Sequence, residues 1–371
     1  MKISLPCFLI FILLQITHAH NIDQPFNAIF SFGNSLADPG NFIILARPVL
    51  PYDVFEHLPY GVTYFGRPTG RASDGRLVID FIAQTLGFPL VPPYLSQGQN
   101  FSRGVNFAVI GAPALGMDFF QQRNITGFLP TDTSLNVQLS WFVDKVKPLW
   151  CNTTQSCLDY FKRSLFLLGE FGGNDYNLAL FAGKSVSEAK SYIPFVIDII
   201  RQAAESLLKQ GALHIVIPGN FPTGCIPILL TIFASNNKLD YDNLGCLKEY
   251  NTIGFDHDMK LKEMVAQLQN KYPQAKIIYA DYYEPVIQFL QNPSKFGFTV
   301  SDPLQICCGG GGPYNYNPNA TCGQPGVPAC SNPSTYINWD GIHLTEAAHR
   351  IIATGWLKGP YAYPPILSDF H

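Results

Sequence analysis

Short runs that are apolar at nearly every position alternate along this chain with longer stretches whose apolar residues recur every three or four positions. The first kind predicts strands covered on both faces, as in a parallel sheet. Five runs fit: AIFSFG (28–33), VNFAVIGA (105–112), SLFLLGEFGG (164–173), LHIVIPGN (213–220) and KIIYADYY (276–283). The second kind predicts amphipathic helices. One covers 185–212, opens on serine caps and stops near Gly211, with Pro194 marking either a kink or a later start. Another covers 242–273 and ends before Pro273, and a third, 345–359, has Thr345 as its N-cap. Strand–helix alternation in this order predicts a three-layer α/β domain about a central parallel sheet. Two stretches break the pattern: 48–75 is rich in Pro, Tyr and Gly, and 301–335 is dense in Gly, Pro, Asn and Cys. With no internal repeat and no linker between domains, both read as long ordered insertions at the edge or mouth of the sheet, where loops carry function.

Composition narrows the class. Hydrophobic residues make up 47% of the 371 and charged residues 14%, which predicts a packed globular protein rather than a disordered one. A formal net charge of -3 and the absence of a long basic run argue against a nucleic-acid partner. At the N-terminus Lys2, the apolar run LPCFLIFILLQI and the small residues Thr17 and Ala19 read as an export signal, 1–19, cleaved after Ala19. That leaves 20–371 as a single domain. No later run has spanning length, so no stable membrane anchor is expected after cleavage.

Cysteine usage points the same way. Cys7 lies in the signal. The other eight, Cys151, Cys157, Cys225, Cys246, Cys307, Cys308, Cys322 and Cys330, are an even number that suits four disulfides in an oxidising compartment. The close spacings 151/157 and 225/246 suggest local staples. Pairing among the last four is not readable from spacing. No C-x-x-C pair or nearby histidine suits zinc, and no metal or other cofactor is expected. Sequons stand at Asn100, Asn124, Asn152 and Asn319, whereas Pro follows Asn292 and Asn332 and excludes them. Together these features predict a glycoprotein of the secretory pathway, extracellular or vacuolar.

Open α/β sheets bind ligands beyond the carboxyl ends of their strands, and polar residues gather at those ends here. Ser35 follows the first run in AIFSFGNSLADPGN, Gly111 ends the second, and Asn174 follows the third in GGND. Asp340 and His343, in WDGIH, precede the last helix. A serine hydroxyl becomes a nucleophile only when a base takes its proton. His343 is the candidate base, and Asp340, three residues earlier, can accept its other ring N–H. An oxyanion needs donors: the N–H groups of Ser35 and Gly111 and the amide of Asn174 are candidates. Singly, Gly111 reads as a strand-end turn and Asn174 as an Asx-turn; it is the ordered set that points to acyl transfer. His257, between two aspartates on a helix, and His349, on the terminal helix, read as structural. His18 and His20 flank the cleavage point, His371 is terminal, and nothing around His57 or His214 marks a base.

The segments FGNSLAD, NFAVIGA, GGND and WDGIH resemble, in order, the four blocks of the GDSL-type or SGNH esterase/lipase family, and they span most of the chain. PYGVTYFGRPTGRASDGRLVIDFIA, GVNFAVIGA and CCGGGGPYNYNP are similar to its plant branch, which includes alkaloid-deacetylating and sinapine-type esterases. The resemblance implies a flavodoxin-like parallel sheet and cofactor-free hydrolysis of a small-molecule acyl ester. It implies Ser35 as nucleophile and first oxyanion donor, Gly111 and Asn174 completing the hole, and Asp340 and His343 completing the triad. The substrate it implies is an ester of a plant specialised metabolite, an acetylated indole alkaloid among the candidates. One position departs: the family's usual Gly-Asp-Ser-Leu is here Gly33-Asn34-Ser35-Leu36. Asn is nearly isosteric with Asp, is uncharged and adds an NH2 donor, so it can keep the turn while changing the hydrogen bonding around it. An acyltransferase sharing the acyl-enzyme, a generic carboxylesterase or lipase, and a non-catalytic binding glycoprotein are the rival readings.

Overall fold

The computed structural model describes residues 25–126 and 132–370; the expected export signal, with Cys7, His18 and His20, and the terminal His371 lie outside them. All five apolar runs become strands, each shorter than its run: β1 (Ala28–Ser31), β2 (Gly104–Asn106), β3 (Ser164–Leu167), β4 (His214–Pro218) and β5 (Lys276–Ala280). They pair in parallel in the order β2-β1-β3-β4-β5. A sixth strand, β6 (Ala362–Tyr363), adds antiparallel to β5. Two residues carry no periodic signal, so the sequence reading had no means of detecting it, and the sheet is mostly rather than wholly parallel. The second apolar run extends to 112 in the sequence. Its regular pairing ends at Asn106, but the chain still follows β1, Phe107 N–H donating to Ser31 O at 2.7 Å and Val109 N–H to Gly33 O at 3.1 Å.

Successive strand residues face opposite layers, and the two largest hydrophobic clusters divide accordingly. Phe30, Val105, Phe166, Ile215, Ile217 and Ile277 pack with the helices Thr154–Phe161, Ile193–Lys209 and Lys248–Lys271. Ile29, Leu165, Leu167, Val216 and Ile278 pack with Val78–Thr85, Tyr283–Gln291 and Glu346–Lys358. This is the expected three-layer sandwich. Burying each such side chain is worth about 1.5–3 kcal/mol, so the layers, not the loops, hold the sheet.

The helices refine the sequence reading. The stretch 185–212 is two helices, Val186–Lys190 and Ile193–Lys209, with Pro194 in the first turn of the second. A first-turn residue needs no N–H, so the proline marks a start and not a kink. The stretch 242–273 becomes helical only at Lys248 and ends at Lys271. Before it, Asp242 Oδ1 accepts the N–H groups of Leu244 and Cys246, both at 2.9 Å, and holds a turn instead. Thr345 caps Glu346–Lys358, its hydroxyl accepting Ala348 N–H at 3.3 Å.

Disulfides join Cys151 to Cys157 and Cys225 to Cys246, the two local staples expected. The remaining four pair as Cys307–Cys330 and Cys308–Cys322. The insertions grip the WDGIH turn and the residues that follow it into the last helix. From 301–335, Cys307 N–H donates to Asn338 O at 3.0 Å and Cys308 N–H to Trp339 O at 2.8 Å. From 48–75, Ser73 Oγ donates to Leu344 O at 3.0 Å, and Asp74 Oδ1 accepts Glu346 N–H at 2.7 Å. Among the described residues no helix is long and apolar enough to cross a membrane.

Candidate active site

Past β1 the chain must turn sharply against β3. Gly33 and Gly169 permit this: a Cβ on Gly169 would lie 2.2 Å from Phe32 O and 2.5 Å from the Gly33 Cα. Gln138, buried, clamps the turn by both amide ends, accepting Gly33 N–H at 2.9 Å and donating to Gly33 O at 2.8 Å. Asn34 O then accepts the N–H groups of Ala37 and Asp38, both at 3.0 Å, which closes one tight turn around Ser35. Ser35 is buried, 7% exposed.

The second and third motifs are tied to this turn by buried polar side chains. Asp38 accepts the N–H groups of Gly40, Asn41 and Phe42 and also that of Ile110, at 2.9 Å, next to Gly111. Gly111 has φ +79°, a left-handed turn that a residue with Cβ enters only at a cost. Asn174 is in the first turn of the helix Gly173–Phe181, seven residues beyond the end of β3, and not at the strand end itself. Its Nδ2 donates to Ala112 O at 3.0 Å, one residue past Gly111. Asp175 accepts Ala114 and Leu115 N–H, each at 2.9 Å. Burial pushes the Asp175 carboxyl up to about 7 against those two hydrogen bonds. Ser35, Gly111 and Asn174 are thereby held on one interlocked set of turns.

The last motif folds on itself, Trp339 N–H donating to His343 O at 2.7 Å. Asp340 Oδ1 accepts Ile342 and His343 N–H, both at 2.8 Å. Its Oδ2 lies 2.8 Å from His343 Nδ1. With Nδ1 engaged by the carboxylate, Nε2 is the ring nitrogen that Asp340 leaves unengaged. Oδ2 also accepts a hydrogen bond from Tyr60 OH at 2.8 Å. Burial pushes the Asp340 carboxyl up, but the charge and hydrogen bonds of His343 outweigh it, and the group sits below its ordinary value. Tyr60 is pushed well up, by burial first and then by the Asp340 charge, so it remains a phenol donor.

Ser35 and Asn174 line one pocket with Asn34, Glu170 and Asn220. His343 and Asp340 line a second cavity with Phe55, Tyr60, Ile306 and Tyr316. Ile342 belongs to both walls, so the two spaces adjoin at the histidine turn. No hydrogen bond joins Ser35 to His343 among the described residues. The sequence reading missed Tyr60, Gln138, Asp38 and Glu170. Tyr60 acts 280 residues from its partner, and Gln138 105 residues from Gly33, separations at which no spacing rule operates.

The four described histidines set aside from the chemistry are core or packing residues. His257 is buried, 2.7 Å from Tyr176 OH through Nδ1, and burial pushes it down to about 3. His349 is buried and pushed down to about 3 by the same cause, with the His343 charge adding to it. His57 stacks on Tyr52, and His214 packs edge-on against Phe26.

A mostly parallel α/β sheet with a Ser, Gly, Asn and His/Asp motif set at its carboxyl end defines the class of SGNH-type hydrolases. The profile described as GDSL-like Lipase/Acylhydrolase matches residues 29–356, and the chain belongs to that family. It is 48% identical over 346 residues to GDSL esterase/lipase At5g45910 of Arabidopsis thaliana, covering 91% of this chain and 92% of that one. It is 49% identical over 343 residues to GDSL esterase/lipase At1g28590 of the same plant, covering 92% and 84%. To the sinapine esterase of Brassica napus it is 46% identical over 341 residues, covering 91% and 87%. The protein is a carboxylic ester hydrolase acting on small-molecule esters.

Proposed function

We propose that Ser35 is the nucleophile of this esterase, His343 its general base and Asp340 the group that orients the base. His343 Nε2 takes the Ser35 proton as Oγ attacks the ester carbonyl. The oxyanion is held by the N–H groups of Ser35 and Gly111 and by the Asn174 amide. His343 then protonates the departing alcohol, and water activated by the same nitrogen releases the acid from the acyl-enzyme. The observation that carries this reading is the commitment of Asp340: it accepts from the His343 side chain and backbone together, in a turn whose Ile342 walls the Ser35 pocket.

The substrate is a carboxylic ester of a plant specialised metabolite. The small amide-lined pocket at Ser35 suits a short acyl group such as acetyl. The neighbouring cavity, walled by Phe55, Tyr60, Tyr316, Ile228 and Ile306, suits a ring-bearing portion, as an indole alkaloid would present. Export through the secretory pathway, to the cell exterior or the vacuole, is the setting. The leader 1–19 is removed and residues 20–371 fold as one hydrolase domain. Four disulfides and the exposure of Asn100, Asn124, Asn152 and Asn319, all available for glycosylation, are in keeping with that route.

A serine-directed organophosphonate tests the nucleophile. Peptide mapping is expected to find the adduct on Ser35, and Ser35→Ala is expected to lose roughly a million-fold in kcat, as when a triad serine is removed. An unlabelled wild-type protein, or a Ser35→Ala variant with wild-type turnover, rejects the assignment. Running the assay across acetyl, aromatic and long-chain esters, with and without an acceptor alcohol, separates hydrolysis from acyl transfer.

A further inference from the structure

The residue that departs from the usual family motif makes a contact that its usual counterpart would make only with an extra proton. Asn34 Nδ2 lies 2.5 Å from Glu170 Oε2, and both residues line the Ser35 pocket. The amide orientation is fixed locally, because Asn34 Oδ1 accepts Leu36 N–H at 3.1 Å and so the NH2 must face the glutamate. The other glutamate oxygen accepts Gly173 N–H at 3.0 Å. One buried pair thus bridges the residue before the nucleophile and the residue before Asn174.

Glu170 is 4% exposed, and among the described residues no lysine or arginine shifts its carboxyl. Facing it are Asp175 and Tyr176 on the helix it precedes and Tyr282 beyond β5. Behind Gly172 and Asn220 stand His257 and Asp258 of the Lys248–Lys271 helix, and His343 stands across Ile342. Burial pushes the Glu170 carboxyl up to about 7, against the hydrogen bonds from Asn34 and Gly173. An amide at 34 donates to Oε2 whether that oxygen belongs to a carboxylate or to a neutral acid. A carboxyl at 34 would set two acidic oxygens in contact, which is stable only while the pair shares a proton.

We propose that Asn34 and Glu170 form a positioning pair for the nucleophile turn, and that the amide at 34 frees this junction from any proton requirement. The proposal rests on the reading of Ser35 as nucleophile. Its sign is definite. With Asn34→Asp the singly protonated pair holds at acid pH, and as pH rises the second carboxyl ionises and the two repel. The turn carrying Ser35 is then driven from Gly173.

The test compares the pH dependence of kcat/KM for p-nitrophenyl acetate in wild type, N34D and N34D/E170Q, from about pH 5 to about pH 9. The ratio of N34D to wild type is expected to fall about tenfold per pH unit once the second ionisation begins, the slope of a single essential proton. In N34D/E170Q the bond is rebuilt with its polarity reversed: the new amide at 170 donates to the carboxylate at 34 and still accepts Gly173 N–H. The alkaline fall is therefore expected to vanish. A flat N34D ratio, or a fall that persists in the double variant, overturns the proposal. Should N34D unfold at alkaline pH by circular dichroism, the double variant carries the test: activity there supports the pair and inactivity rejects it. Phosphonate mapping of wild type keeps the two readings apart. A Ser35 adduct with flat ratios rejects the pair alone, and an adduct elsewhere rejects the nucleophile.

Discussion

At the scale of single residues, the candidate triad is held by a member that the motif does not contain. Asp340 accepts four hydrogen bonds, from the two N–H groups of its own turn, the imidazole, and the phenol of Tyr60. Tyr60 packs against Phe55, with ring centroids 5.0 Å apart, and Phe55 in turn lies edge-on to His343 at 6.1 Å. Tyr60→Phe keeps this aromatic packing and removes one donor to the carboxylate. A hydrogen bond to a charged group is worth about 1.5–3 kcal/mol, so a loss of about ten- to a hundredfold in kcat is expected, with KM little changed. Steady-state kinetics on the folded variant checks it: an unchanged kcat would make Tyr60 a packing residue and nothing more. The pattern that exposed Asp340 and His343 in the sequence was their spacing of three within one turn. Tyr60 has no such local relation to either, and only the folded chain reveals it.

At the scale of elements, legibility follows the range of the signal. The strands were readable because central parallel strands are apolar on both faces, and the Thr345 cap because capping is a contact three residues long. β6 was not readable, since its place depends on β5 and its own length is two residues. The insertions were recognised as mouth-forming, but not the means by which 48–75 is anchored. That anchor is Arg71, whose Nε and Nη2 donate to the two carboxylate oxygens of Asp80, each at 2.8 Å, with both side chains buried. Asp80 Oδ2 also accepts Leu77 N–H at 2.9 Å, at the start of the Val78–Thr85 helix. Arg71→Ala would strand this carboxylate in the interior. The expected cost is about 3–5 kcal/mol, the range for breaking a buried pair by removing one partner. Urea unfolding measures it, and a loss below about 1 kcal/mol, the range of exposed pairs, would show that the site is effectively solvated.

For the whole molecule, the sheet and the rim of the site are held by different means. The three-layer core secures the sheet, while the rim depends on covalent staples where apolar residues are sparse. Cys308–Cys322 closes a separation of 14 residues and is itself part of the wall of the His343 cavity, beside Ile306, Tyr316 and Thr321. Cys307, Cys308 and Cys322 also cluster with Tyr60 and Trp339, so the two insertions meet over the histidine turn. Closing a loop of this size restricts the unfolded chain by about 3 kcal/mol in the chain-entropy account. If that restriction holds the wall in place, the Cys308→Ala/Cys322→Ala variant should retain the sheet and lose the cavity. Its far-ultraviolet circular dichroism is then expected to match wild type. KM for a bulky aromatic ester should rise about tenfold, equivalent to roughly 1.4 kcal/mol of binding, while KM for p-nitrophenyl acetate, which needs less of that wall, changes less. Equal shifts for the two esters would mean that the staple serves folding alone, and that ester selectivity is set elsewhere in the site.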